Sequence, residues 1–286
     1  MQNEPIGLVL EGGGMRGMYT CGVLDVMMEH RLWADAMIGV SAGIAFGCNY
    51  KSGQAGRAIR YNMRFSRDRR YSGLGSLLRT GNYYNAEFAY HTVTNEYDVF
   101  DKEAFNRSPM VCYAVVTDVD NGQAVYHRID RADDTAFEWI RASASMPVVA
   151  QPVELDGHRY LDGGMADSLP LRFMQEHGYK RNMVVLTREK GYVKRGEHGQ
   201  WLLSLLLRKQ PRVVQALRER PAAYNAQLAY VEQQGELGHT LVVRPEVPLN
   251  ISRISRSASE MRRVYDLGRA QATQLLPRLT QFFQGH

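Results

Sequence analysis

Gly39-Val40-Ser41-Ala42-Gly43 spells G-x-S-x-G. That pattern suits a hydroxyl held on a sharp turn from a strand into a helix, with the helix N-terminus beside it. Glycine on either side lets neighbouring backbone come close. A plain turn in which Ser41 caps a helix fits the same five residues. One strand earlier stands Glu11-Gly12-Gly13-Gly14-Met15-Arg16-Gly17. Taken as Gly12-x-Gly14-x-x-Gly17, it has the spacing of a dinucleotide-binding loop. Taken as consecutive amides at a helix start, Gly12, Gly13, Gly14 and Met15 can instead stabilise the oxyanion of a tetrahedral intermediate. A dinucleotide site wants an acidic residue roughly 20 residues on, at the tip of the second strand. Asp35 precedes that strand, and its tip holds Ser41. The oxyanion reading is therefore favoured. Arg16 then fixes the loop or meets an anionic head group; a surface arginine at a helix start is the plainer reading.

A nucleophilic serine needs a base. The histidines are His30, His91, His127, His158, His177, His198, His239 and His286, and none sits in a glycine-rich or strand-end setting. Tyr160-Leu161-Asp162-Gly163-Gly164 is the better candidate. A strand delivers Asp162 to a loop, and Gly163 and Gly164 let that loop fold against a neighbour. A carboxylate hydrogen bonded to Ser41 can take its proton directly. An ordinary Asp-Gly turn is the competing reading.

The elements that must position these groups alternate. Ile6–Leu10 and Ala36–Val40 read as buried strands, followed by helices over 17–29 and 42–49. Further helices are expected at 54–65, 86–94 and 134–143. Residues 110–129 form two strands about a DNG turn, and 151–162 a hairpin with Asp156-Gly157 as its turn. Ser168 is placed as the cap of a helix with Pro170 in its first turn. A strand at 182–188, helices at 200–219 and 221–234, a strand at 239–244 and a closing helix at 259–283 complete the chain. This is an α/β fold, a three-layer sandwich with a largely parallel central sheet flanked by helices. No linker is visible, so residues 1–286 are read as one domain. Its core motifs span 6–182, 190–235 reads as a lid or helical subdomain, and 239–283 holds the last strand and closing helix.

The 286 residues carry a formal charge of +5, mild enough to permit contact with anionic membranes or nucleic acid without arguing for either. No nucleic-acid fold signature accompanies it. Met1–Pro5 is polar and Ile6–Leu10 too short for a signal core. No apolar run approaches the roughly 20 residues that span a bilayer. Three scattered cysteines, Cys21, Cys48 and Cys112, suit a reduced cytoplasm, and no metal-ligand spacing occurs. Neither metal nor cofactor is expected.

EGGGMRG, GVSAG, RASASMPVVAQPV and LDGG, in this order, resemble the patatin-like phospholipase family, from about Ile6 to Asn182. The likeness extends to bacterial stand-alone proteins of about this length. It implies a Ser–Asp dyad without histidine: Ser41 as nucleophile, Asp162 as base, and Gly12, Gly13, Gly14 and Met15 as the oxyanion hole. Arg16, Gly39, Gly43, Gly163 and Gly164 would support it. The family loop often begins with Asp where this chain has Glu11. The implied activity is hydrolysis of phospholipid or neutral lipid esters by a cytoplasmic protein, peripheral to a membrane if it touches one. WLLSLLLRK (201–209) and RYNMRFSRDRRY (60–71) bear weakly on lipid contact; a core helix and a solvated helix end are the plainer readings. Two other functions stay in view. One is an α/β-hydrolase with a Ser-Asp-His triad drawn from His177, His198 or His239. The other is a nucleotide- or anion-binding protein without catalysis.

Overall fold

The computed structural model describes residues 4–196 and 204–284. Five strands run parallel in the order β3 (Val111–Asp118), β2 (Ala36–Val40), β1 (Ile6–Leu10), β7 (Arg181–Val185), β8 (Thr240–Val243). Antiparallel β4 (Ala124–Arg128), β6 (His158–Asp162) and β5 (Val153–Leu155) extend the sheet past β3. The strands are apolar on both faces because both are covered. Leu8, Leu10, Met37, Met183 and Val185 point into one core, while Val9, Ile38, Val40 and Val184 point into the other. On the first face lie α1 (Met18–Glu29), α2 (Ala42–Lys51), α3 (Arg57–Phe65) and, further along, α6 (Asp134–Ser143). On the second lies α7 (Leu171–Glu176). Between α3 and α6 come α4 (Leu74–Thr80), a π-helical stretch over Glu87–Tyr97 and α5 (Lys102–Arg107). The predicted three-layer α/β sandwich is the fold observed.

Several boundaries differ from expectation for identifiable reasons. The two helices expected at 200–219 and 221–234 are one helix from 211 on, α8 (Pro211–Glu236), which runs through Pro221. Proline inside a helix costs about 3 kcal/mol. Val213, Ala216, Tyr224, Leu228 and Val231 are buried along it, and that packing outweighs the break. The closing helix is two, α9 (Ala258–Gln274) and α10 (Leu276–Gln284), divided just before Pro277. Ser168 does not cap α7, which begins at Leu171; its hydroxyl donates to the Gly164 carbonyl at 2.7 Å. Of 201–207, Trp201 to Leu203 lie outside the described residues, Leu207 is buried, and Leu205 and Leu206 face solvent.

One crossing fixes α9 on the first face. A Cβ on Gly268 would collide with the Tyr19 carbonyl, and one on Gly22 with the Tyr265 carbonyl. The two backbones therefore touch, and the Tyr265 hydroxyl reaches across to donate to Asp25 at 2.6 Å.

Candidate active site

β2 ends at Val40 and α2 begins at Ala42, so Ser41 carries the reversal. Its φ is 56° and its ψ −125°, a left-handed backbone that costs a non-glycine residue about 1–3 kcal/mol. The surroundings hold it there. The Ser41 N–H donates to the Ser143 Oγ at 2.9 Å, and that hydroxyl donates to the Val115 carbonyl at 2.6 Å. A Cβ on Gly39 would collide with the Ile44 backbone, and one on Gly43 with the Leu10 carbonyl. The flanking glycines are thus where α2 presses onto β1 and β2.

β6 delivers Asp162 to the same end of the sheet. Its N–H donates to the Ser145 carbonyl at 2.9 Å and its carbonyl accepts from Thr117 Oγ1 at 2.9 Å. Its Oδ1 accepts the Gly164 N–H at 2.8 Å. Ser41 and this carboxyl line the same pocket. Ser41 is 8% exposed and Asp162 4%. Burial pushes the Asp162 carboxyl above the ordinary carboxylate range; the Arg220 charge, the Ser41 hydroxyl, the Gly164 amide and Arg253 pull it the other way. A Cβ on Gly163 would strike the Val115 carbonyl, and one on Gly164 would lie 3.3 Å from the Arg220 guanidinium.

The glycine loop lies against this turn. A Cβ on Gly12 would sit 2.8 Å from the Val40 oxygen and 2.9 Å from the Ser41 Cβ. Gly14 has a φ of 56°. Of the four amides singled out, Met15's donates to the Arg253 carbonyl at 3.0 Å. Among the described residues no acceptor takes those of Gly12, Gly13 or Gly14. Arg16 is not a surface residue. It is 8% exposed, folded against Gly13. Burial first, and then Arg188, lower its guanidinium to about 10.

The competing arrangements separate spatially. Asp35 Oδ2 accepts the Ile6 N–H at 2.7 Å at the opposite end of β1, far from the glycine loop. His177 shares a surface hollow with Asp35 and Val111, at the starts of β2 and β3. His239 directly precedes β8. Both lie at the end of the parallel strands away from Ser41, roughly 16 Å off for a five-residue strand. His198 lies outside the described residues.

Ser41 stands on the boundary of two pockets. One, of about 1140 Å³ with its mouth included, is mainly apolar: Tyr61, Tyr71, Tyr83, Tyr90, Ile140 and Val149 are among its walls. The aromatics of 60–71 thus turn inward, and the stretch is no phospholipid-facing patch of arginine and aromatic together. Its Arg60 pairs with Asp98 and its Arg70 with Asp68. The second pocket, of about 400 Å³ with its mouth included, has charged groups in its walls, among them Glu11, Arg16, Asp162, Lys194, Arg220 and Arg253. Glu11 fastens it: one carboxylate oxygen accepts the Thr187 N–H at 2.5 Å, the other the Tyr224 hydroxyl at 2.8 Å. Sequence reasoning missed Ser143, Lys194, Arg220, Tyr224 and Arg253. Ser143 lies in the RASASMPVVAQPV block, but nothing there marks it as the partner of the Ser41 amide; the other four have no motif, and their separations along the chain carry no spacing signal.

Fold and site describe a three-layer α/β protein whose second strand ends in a strained, buried serine facing a carboxyl. The chain belongs to the patatin-like phospholipase family, whose model matches residues 8–174. A second model, a domain of unknown function called DUF6363, matches residues 210–284. An uncharacterized Escherichia coli protein, YjjU, is 28% identical over 92% of this chain and 75% of its own length. The lysophospholipase NTE1 of Cryptococcus neoformans is 27% identical over 64% of this chain. This chain spans only 11% of that relative. Among solved structures, VipD from Legionella pneumophila aligns with a TM-score of 0.47 at 13% identity, over 96% of this chain and 67% of that one.

Proposed function

We propose that this protein is a serine acyl hydrolase that cleaves carboxylic ester bonds in lipids. Ser41 Oγ attacks the acyl carbon while Asp162 takes its proton. The Gly12, Gly13 and Gly14 amides receive the developing oxyanion. Asp162 then returns the proton to the departing alcohol, leaving an acyl group on Ser41. In the second half Asp162 takes a proton from water, the hydroxyl attacks the ester, and Ser41 recovers its hydrogen.

The observation that carries this reading is the placement of Ser41. A strained serine lies between an aromatic, apolar pocket and a charged one that a buried carboxyl also lines. An acyl chain fits the first, and the alcohol half with its polar group fits the second. Family membership and the lysophospholipase relatives support lipid hydrolysis. Lipid would arrive peripherally. Among the described residues no helix is long and apolar enough to cross a membrane. Leu74, Leu78, Val148 and Ile254 are exposed, Leu78 at 88%. Val148 adjoins Val149 of the apolar pocket, and Ile254 is one of its lining residues.

The test is reaction with a fluorophosphonate probe followed by intact mass. The wild type should gain one label, Ser41→Ala none, and Asp162→Asn should label far more slowly. An unlabelled, well-folded wild type, with and without detergent, would sink the reading.

A further inference from the structure

The apolar pocket beside Ser41 contains polar groups that a plain hydrocarbon chain would leave unanswered. Tyr61 of α3, Tyr90 of the π-helical stretch and Tyr84 between them line it. Two neighbouring phenols in the same walls are satisfied. The Tyr71 hydroxyl donates to Asn62 Oδ1 at 3.0 Å, and that of Tyr83 to the Ile254 carbonyl at 3.5 Å. The hydroxyls of Tyr61, Tyr84 and Tyr90 have no hydrogen-bond partner among the described residues. The Tyr19 hydroxyl is also unpartnered, but it is closed off in the core, whereas these three open onto the cavity they line.

Arg57 and Asn62, in the same walls, are engaged elsewhere. Arg57 donates to the Asp98 carbonyl and to Asn49 Oδ1, each at 2.9 Å, and Asn62 Nδ2 donates to the Ala58 carbonyl at 2.9 Å. Packing fixes where the phenols stand. The Tyr84 ring meets those of Tyr71 and Tyr83 edge-on, with centroids 5.6 and 5.4 Å away. The Arg57 guanidinium lies 5.2 Å from the centre of the Tyr61 ring, and Tyr61 is more than nine-tenths buried. Burial pushes all three phenols well above their ordinary value, so each keeps its proton and donates at any working pH.

Filling this pocket with a saturated chain would displace water from the three oxygens and return no hydrogen bond. A buried hydroxyl left without a partner is costly, and such groups are ordinarily satisfied. We propose that the pocket selects acyl chains that carry a hydroxyl along their length, and that Tyr61, Tyr84 and Tyr90 recognise it. A chain hydroxyl both accepts and donates, as a phenol does. A site built to hydrogen bond a substrate oxygen rejects the analogue lacking it, whereas a purely apolar wall discriminates weakly. The ester half of this inference rests on the acyl-hydrolase reading; binding of the chain does not.

Binding is tested by calorimetry on Ser41→Ala, titrated with dodecanoate and with hydroxydodecanoates whose hydroxyl lies near the carboxyl, at mid-chain or at the far end. At least one isomer should bind about tenfold more tightly than dodecanoate. Hydrolysis is tested on wild type with the nitrophenyl esters of the same acids, and the same isomer should lead by about tenfold in kcat/KM. Tyr61→Phe, Tyr84→Phe and Tyr90→Phe each delete one oxygen and no protein hydrogen bond. One of them should bring the ratio down towards one, and the combined variant should abolish it for every isomer. None of the three hydroxyls has a partner to lose, so each variant should match or exceed the wild-type denaturation midpoint. Dodecanoate binding as tightly as every isomer, a preference that survives in the combined variant, or no binding of any acid by folded protein overturns the proposal. A preference in binding with none in kcat/KM overturns its ester half. A Ser41 inert to fluorophosphonate, with the binding preference intact, would sink the hydrolase reading alone.

Discussion

Ser41 and Asp162 each sit in a state that neither would adopt in water. The serine backbone is left-handed, and the carboxyl sits where burial opposes its charge. A base works best when its affinity for the proton approaches the working pH. The sign of the pH dependence follows. As the proposed base, Asp162 would have to be deprotonated to accept the Ser41 proton, so activity should fall as pH falls through its raised value. The acid limb of kcat/KM, measured on an uncharged ester, should therefore lie above the ordinary carboxylate value of about 3.9. A limb at or below that value would show that another group controls it. The turns that carry Ser41 and Asp162 were legible because their backbone demands are written in glycines beside them. Gly39, Gly43, Gly163 and Gly164 each sit where a neighbouring chain passes close. Ser143, which takes the Ser41 amide, stands 102 positions away and left no such trace. Met15 was legible as part of the loop, but its amide turns to the Arg253 carbonyl, a partner 238 positions on in the same numbering.

At the scale of elements, strands and their order followed from alternation and apolar runs, because both faces of this sheet are covered. The hairpin at Asp156-Gly157 came directly from its turn, where both residues have positive φ, 51° and 79°. The helices of the last third were misjudged where local chemistry and packing disagree. Pro221 signals a break, yet Ala216 and Tyr224 on either side of it are buried and the helix continues. The α1–α9 crossing is the most demanding contact between elements, since the Tyr19 and Tyr265 carbonyls each occupy the space of a glycine side chain. Gly268→Ala must push the helices apart. It should destabilise the protein by about 1–3 kcal/mol, read as a lower denaturation midpoint at unchanged m-value. A stability equal to wild type would mean the crossing relaxes freely.

Across the whole molecule, the segment beyond residue 210 is more than a cover. It contributes β8 to the sheet, α9 to the first face, and Arg220, Tyr224 and Arg253 to the pocket beside Ser41. Tyr224 ties α8 to the glycine loop through Glu11, which also holds the Thr187 amide. Tyr224→Phe removes a hydrogen bond to a buried carboxylate, worth about 1.5–3 kcal/mol. It should lower thermal stability and also slow fluorophosphonate labelling of Ser41. Loss of stability with unchanged labelling would confine Tyr224 to the scaffold. None of this was visible as a motif, because each contact joins residues some two hundred positions apart. That arrangement constrains descent as well as folding. Arg253 offers its carbonyl to Met15 and its charge to Asp162, and Arg220 stands against Gly164. A lineage that exchanged one segment for a relative's, by recombination near residue 200, would inherit a loop and a pocket shaped for different partners. Selection on either segment is thus selection on both, and the two are expected to have travelled as a single heritable unit.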